Sequence, residues 1–275
     1  MSSTIVRLLC AGCLLALPIT ASADVEAGLD WLEGRVESDG AVPSPQPLAT
    51  ATQSAAQTIE AFSAAGRGSA AATDSVRGFI GVQPAPSTAR LARRILSDAT
   101  GNTTRHELED RLRALQRVDG GFGDRRGYTA TVLDTGLALR ALAATGATRD
   151  DDAVTRATGF LLDRQGAHGA WGLADNGVDV WPTAIAMRGL QSFRRLPGVD
   201  SALMQARDWL LANRAANRGF GAPYRTAAAL LAIATTAESK DRYADTVTAL
   251  REAQAGDGSW QGDAFTTALA VQALI

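Results

Sequence analysis

Two kinds of helical segment alternate along the chain. Segments of the first kind are amphipathic: Leu108, Leu112 and Leu115 in HELEDRLRALQ recur three or four residues apart, with charged residues between them. Segments of the second kind, such as TAAALLAIATTA from Thr226, are apolar or small on nearly every side. A helix with one apolar stripe covers a core, whereas a helix that is apolar all round is buried. The alternation therefore predicts outer helices packed around buried inner helices.

A glycine loop that ends in an aromatic residue separates the two kinds of segment, and it repeats. The aromatic residues Phe122, Trp171, Phe220 and Trp260 are spaced 49, 49 and 40 residues apart. Weaker copies of the loop occur at residues 39–42 (DGAV) and 77–81 (RGFIG). A second signature, close to T-A-x-A-x-x-A-L, starts at Thr52, Thr88, Thr135, Thr183, Thr226 and Thr267. Six copies predict six helix pairs closed into an all-α (α/α)6 toroid, with six inner and six outer helices.

Three of these loops share the pattern Gln-x3-Gly-x-aromatic, starting at Gln116, Gln165 and Gln254. A glutamine amide can satisfy free backbone groups at a helix end, and glycine allows the positive φ of a tight reversal. The aromatic side chain then fills the space between neighbouring helix pairs. A catalytic group is needed once, but a corner is needed in every repeat. We therefore interpret the pattern as a structural joint.

The Gln-x3-Gly-x-Trp/Phe pattern resembles the QW repeat of the squalene cyclase and protein prenyltransferase superfamily. The resemblance extends from about Val25 to Ile275 and implies an α/α toroid. It carries no activity across by itself, because function depends on sites rather than folds.

The residues that would carry the superfamily's chemistries are missing. No segment matches the D-x-D-D motif of squalene-hopene-type cyclases, and DDD at residues 150–152 is placed to cap an outer helix. Only 5% of residues are aromatic, although such cyclases stabilise carbocations with aromatic faces. The zinc site of prenyltransferases needs Asp, Cys and His. This chain has two histidines, His106 and His168, and its two cysteines both lie near the N-terminus. We therefore predict no metal and no cofactor, and the sequence favours a protein that is not an enzyme.

The N-terminal residues have the layout of a secretory signal peptide. Arg7 precedes an apolar run over residues 8–19, and small residues follow at 21–23. This predicts a signal peptide at residues 1–23, a toroid domain at 24–275 and a secreted or periplasmic location, with a retained anchor as the alternative. Both Cys10 and Cys13 lie in this segment, so the mature chain would have no thiol with which to form a disulfide, a metal site or a thioester. The net charge of −2 does not favour nucleic-acid binding. No apolar run after residue 23 is long enough to predict a membrane span.

In a closed toroid, the loops from outer to inner helices meet on one rim, where helix dipoles favour an anionic or polar ligand. Asp134 is singled out because it directly precedes Thr135, facing the ring, where burial would raise its pKa and suit it to acid or base chemistry. The alternative is a hydrogen bond at the helix start or with Arg225. The polar and aromatic candidates for this rim are Asp124, Tyr128, Asp134, Asp175, Asp179, Trp181, Tyr224, Arg225 and Asp263.

Three functions remain open at this point. The first is a non-catalytic binding or scaffolding module whose partner is an apolar small molecule, a glycan or another protein. The second is a terpenoid-cyclase-like or hydrolase-like enzyme with Asp134 in a central cavity. The third is a module of a larger surface protein, because Thr267 is followed by only eight residues, against eleven from Thr135 to Gly146, as if the last helix were truncated.

Overall fold

The computed structural model describes residues 25–173, 177–236 and 239–275, which contain twelve α-helices in six consecutive pairs. The predicted signal peptide and Asp175 lie outside these ranges. The helices are α1 (Val25–Glu33), α2 (Ala51–Ala65), α3 (Ala70–Val82), α4 (Thr88–Leu96), α5 (Arg105–Arg113), α6 (Val132–Ala144), α7 (Asp152–Asp163), α8 (Val180–Leu190), α9 (Val199–Ala212), α10 (Pro223–Ile233), α11 (Ala244–Glu252) and α12 (Ala264–Leu274). Short 3-10 helices occupy Gln191–Phe193 and Lys240–Tyr243, and two-residue strands β1 (Phe122–Gly123) and β2 (Ala130–Thr131) pair antiparallel.

The even-numbered helices form a closed inner ring. Each packs against the next, from α2 through α12, and α12 packs back against α2. The odd-numbered helices lie outside, each on the inner helix of the preceding pair, so that α1 packs on α12. The predicted α/α toroid is therefore confirmed.

The burial of the two helix types follows their sequence patterns. Eight of the eleven residues of α12 are buried, whereas only Thr246 and Leu250 are buried among the nine of α11. Small residues let the inner helices approach closely: a Cβ added to Gly189 in α8 would lie 2.7 Å from the carbonyl oxygen of Gly136 in α6. Backbone contact at this distance leaves no room for a side chain.

In the joints of Gln116 and Gln165, the glutamine ties its own corner to the next outer helix. Gln116 Nε2 donates to the carbonyl oxygens of Gly120 and of Ala153 in α7, both at 2.8 Å. Gln165 Nε2 does the same, to Gly169 at 2.7 Å and to Ala202 in α9 at 2.9 Å. Each amide thus joins a carbonyl of its own corner to a carbonyl in the first turn of the next outer helix.

The repeat threonines complete the joint. In the last four pairs, the backbone N–H of the aromatic residue donates to the threonine Oγ1 at 2.9–3.0 Å. Trp171 and Trp260 are fully buried, and their indole N–H groups donate to Leu161 and Leu250. These contacts confirm that the repeated pattern is structural.

The sequence interpretation of residues 77–81 as a corner loop was wrong. They lie within α3, and the second connection from an outer to an inner helix is residues 83–87, with prolines at 84 and 86. Gly81 is instead a close-packing position, since an added Cβ would lie 3.0 Å from the Cα of Gly101. None of the helices in the described ranges is long and apolar enough to cross a membrane.

Candidate functional site

Two adjoining cavities occupy the lumen at the end where the inner helices begin. The first, about 420 Å³, is lined among others by Leu48, Asp179, Trp181, Tyr224, Arg225 and Phe265. The second, about 300 Å³, is lined among others by Ala89, Arg93, Asp134, Leu137 and Ile185. Gln53, Leu173 and Trp181 line both, so the two cavities adjoin and together form the candidate site.

Aromatic side chains from three inner helices form one wall. The Trp181 ring, at the start of α8, lies edge-on to Tyr224 of α10, with 5.6 Å between ring centroids. Its centroid is 6.1 Å from that of Phe265 in α12. Asp179 caps α8 by accepting the Trp181 N–H at 2.9 Å, which fixes the start of the helix and hence the tryptophan. Such a wall suits an apolar ligand.

An ion pair forms the polar edge of the first cavity. Arg225 Nη1 lies 3.1 Å from Asp179 Oδ2, and Arg225 Nε donates to the Tyr224 hydroxyl at 3.1 Å. The hydrogen bond to Tyr224 and the charge of Asp179 raise the pKa of Arg225. Asp179 is therefore engaged by a cation rather than free to act as a base.

Asp134 lies on the wall of the second cavity, in the first turn of α6, where it bonds to the helix-capping residue Thr131. The Thr131 hydroxyl donates to Asp134 Oδ2 at 2.8 Å, and the Asp134 N–H donates to Thr131 Oγ1 at 3.0 Å. Burial raises the pKa of Asp134, the Thr131 hydrogen bond opposes that rise, and the nearby Asp124 adds to it. The structure has the predicted alternative, a hydrogen bond of Asp134 at the helix start. The partner is Thr131 and not Arg225, because Arg225 pairs with Asp179.

The raised pKa of Asp134 predicts a pH dependence of stability. A carboxyl that holds its proton more tightly in the folded chain favours folding at low pH, and that contribution is lost as the pH rises through its folded pKa. Asp134→Asn should therefore gain stability relative to the wild type as the pH rises from below the ordinary value of 3.8 towards neutrality. Urea unfolding across this range measures the effect, with Asp150→Asn on an exposed carboxylate as the control. A difference between Asp134→Asn and the wild type that is constant with pH would contradict it.

A cluster of charged side chains lies deeper in the lumen. Glu60 of α2 accepts from Arg140 of α6 at 2.7 Å, and Arg188 of α8 lies 3.5 Å from the same oxygen. Since α2 and α8 are opposite members of the six-helix ring, this contact crosses the lumen. Burial raises the pKa of Glu60, but Arg140 and Arg188 outweigh it and hold the pKa below its ordinary value. We call Glu60, Arg93, Arg140 and Arg188 the arginine cluster.

The remaining candidates from the sequence lie outside these two cavities. Asp263 caps α12 by accepting from the N–H and hydroxyl of Thr266, and it also holds the Leu48 N–H at 3.1 Å. Asp124 pairs with Arg125, and Tyr128 is 59% exposed in the same loop. Five of the eight described candidates thus line the site, namely Asp134, Asp179, Trp181, Tyr224 and Arg225.

Sequence reasoning missed the arginine cluster. Glu60 and Arg188 are the single charged residues of α2 and α8, and that exception to the apolar pattern was the available signal. The interpretation of residues 150–152 as a helix cap is confirmed, because Asp151 accepts the Ala153 N–H at 2.9 Å and pairs with Arg113 at 2.7 Å.

Solved structures share this architecture at low sequence identity. The type II terpene cyclase MstE from Scytonema superposes with a TM-score of 0.69 at 14% identity, over 91% of this chain and 96% of that one. An α-1,6-mannanase of Salegentibacter matches with a TM-score of 0.66 at 9% identity, over 91% of this chain and 97% of that one. The ent-copalyl diphosphate synthase from Streptomyces platensis gives 0.62 at 19% identity, over 82% of this chain and 49% of that one.

The chain has a terpene-cyclase-like α/α-toroid fold. At these identities the likeness concerns the fold alone, because the same toroid serves both a cyclase and a glycan hydrolase. No protein-family model matches the chain, and neither does any curated protein.

Proposed function

We propose that this protein is a non-catalytic binding module that holds an apolar small molecule in the lumen of the toroid. The observation that carries the proposal is the adjoining cavity pair beside Trp181, with Leu173 and Phe265 on its wall. Apolar and aromatic walls with a few polar groups are typical of small-molecule sites, and they favour an apolar ligand over a glycan or a protein. The N-terminal residues support a role outside the cytoplasm, in the secreted or periplasmic space.

The engagement of the carboxylates supports binding rather than catalysis. Asp179 is paired with Arg225, and Glu60 is paired with Arg140 and held ionised by the neighbouring arginines. An ionised, paired carboxylate does not donate a proton at neutral pH. Among the described residues that line the two cavities, Asp134 is then the one carboxyl without an ion pair within 4.0 Å.

Two similar structures are complexes with small ligands, which supports a small molecule as the partner. A variant of the Scytonema cyclase is in complex with its substrate geranylgeranyl dihydroxybenzoate, and the Salegentibacter mannanase variant is in complex with α-1,6-mannotriose. The wall of this lumen fits the apolar portion of the first better than the second, because more of its lining surface is apolar than polar.

Filling the cavity should abolish binding without unfolding the protein. Ala89 in α4 lines the second cavity, so Ala89→Phe places a ring in that space. We expect dodecan-1-ol to raise the melting temperature of the wild type, α-1,6-mannotriose to leave it unchanged, and Ala89→Phe to lose the dodecan-1-ol shift. Ala71→Phe, on an exposed position of outer helix α3, is the matched control and should keep the shift. An equal shift in the wild type and Ala89→Phe would exclude the lumen as the site.

An enzyme that uses Asp134 is the second candidate, and the raised pKa of this cavity-lining carboxyl favours it. The two proposals differ in what Asp134→Asn does. The binding module keeps its dodecan-1-ol shift in this variant and turns over no isoprenoid alcohol in the wild type. Turnover by the wild type that Asp134→Asn abolishes would establish the enzyme instead.

A further inference from the structure

The arginine cluster lies one helical turn below the walls of the second cavity. Arg140 follows Leu137 by three residues on α6, and Arg188 follows Ile185 by three residues on α8, so each lies on the same helix face as a lining residue. Arg93 itself lines the cavity. A ligand that enters from the rim therefore meets the apolar wall first and the arginines beneath it.

The cluster carries more positive than negative charge. The cluster has three guanidinium groups and one carboxylate, and counting Asp134 as ionised still leaves a net charge of +1. Arg93 donates to the Ala89 carbonyl of its own helix at 3.1 Å, and no carboxylate oxygen in the described ranges lies within 4.0 Å of it. Burial lowers the pKa of both Arg93 and Arg188, since their charge is removed from water without full compensation.

A second, independent observation is an unsatisfied amide. Gln57 is 7% exposed, and its Nε2 finds no hydrogen-bond partner within the described part of the chain. It lies on α2 between Gln53, which lines both cavities, and Glu60 of the cluster, four residues after one and three before the other. These spacings place all three on one helix face. A buried N–H donor without an acceptor is costly, and it is satisfied when an acceptor is supplied.

We propose that the lumen selects an anionic amphipathic molecule, with a carboxylate or phosphate head group at the arginine cluster and an apolar chain along Leu137, Ile185 and Trp181 towards the rim. The head group would accept hydrogen bonds from Arg93 and Gln57, the two groups that the fold leaves short of acceptors. Guanidinium groups bind carboxylates and phosphates through paired, charge-assisted hydrogen bonds. A cationic head group would be repelled, and a neutral one would leave the excess charge uncompensated. This inference rests on the proposed function, because it assumes that the lumen holds an apolar chain.

The test compares three probes that share a twelve-carbon chain: dodecanoate, dodecan-1-ol and dodecyltrimethylammonium. Isothermal titration calorimetry on the purified chain should show dodecanoate binding at least tenfold more tightly than dodecan-1-ol, and no binding of the cation. Arg93→Gln should weaken dodecanoate binding at least tenfold and remove the preference for dodecanoate over dodecan-1-ol. Arg93 is the member to change because, among the described residues, its removal breaks no ion pair within 4.0 Å and so leaves the fold least disturbed.

Arg90→Gln is the matched control, since Arg90 is on the same helix but donates to the Pro84 carbonyl away from the cavities. It should leave the affinity for all three probes unchanged. Equal affinities for dodecanoate and dodecan-1-ol in the wild type, or an Arg93→Gln variant that binds dodecanoate normally, would overturn the anion site and leave the proposed function standing. No binding of either chain would overturn both.

Discussion

Gly258→Ala should lower the free energy of unfolding by about 3 kcal/mol, because the new methyl group meets the backbone where the ring closes. Gly258 has φ +89° in the loop before α12, and an added Cβ would lie 2.5 Å from the carbonyl oxygen of Ala27 in α1. This is the junction of the sixth helix pair with the first. The methyl group cannot be accommodated unless α1 moves away. The residues of α1 that are buried would then lose part of that burial.

Gly127→Ala separates the cost of the left-handed backbone from the cost of the steric contact with α1. Gly127 has a similar φ of +92°, but an added Cβ would have no neighbour within 4 Å. It should therefore show only the cost of the left-handed backbone, about 1 kcal/mol. Urea unfolding measures both variants. Equal losses at the two positions would show that the contact between the last corner and α1 contributes nothing to stability.

Trp171→Ala should lower the free energy of unfolding by about 4 kcal/mol. The side chain is fully buried in the corner before α8, and its indole N–H donates to the Leu161 carbonyl at 2.7 Å. Truncation leaves a large cavity between neighbouring helix pairs and an unsatisfied carbonyl. Trp171→Phe should cost about 1–2 kcal/mol, because Phe122 shows that the same corner accepts a phenyl ring.

Trp209→Ala is the control for the Trp171 variants, since Trp209 is only partly buried on outer helix α9. Chemical unfolding should show a smaller loss there than at Trp171. If Trp171→Ala were no more costly than Trp209→Ala, the corner tryptophans would not hold the helix pairs together.

The sequence was sufficient for the toroid because two local patterns determine it. Apolar residues around the whole circumference of α10 and α12 require burial, while the stripe Leu108–Leu112 requires one covered face. The six copies of the threonine signature then give the number of pairs. The pattern misled only at residues 77–81, where a glycine-aromatic-glycine sequence serves helix packing instead of a turn.

The site was predictable where the repeat itself positions residues. Asp134, Trp181 and Tyr224 are at the starts of inner helices, and the alternation of helices places all such starts on one rim. The arginine cluster was not predictable in this way, because Glu60 meets Arg140 and Arg188 across the lumen. Those contacts depend on the relative heights of non-neighbouring helices, which periodicity within one helix does not specify.

The most direct test of the lumen as a binding site is a crystal structure of the protein with dodecanoate. The account predicts one molecule inside the ring, its chain against Trp181 and Ile185 in the cavity pair. Dodecanoate bound only on the outer helices, beside a lumen without it at saturating concentration, would contradict the account.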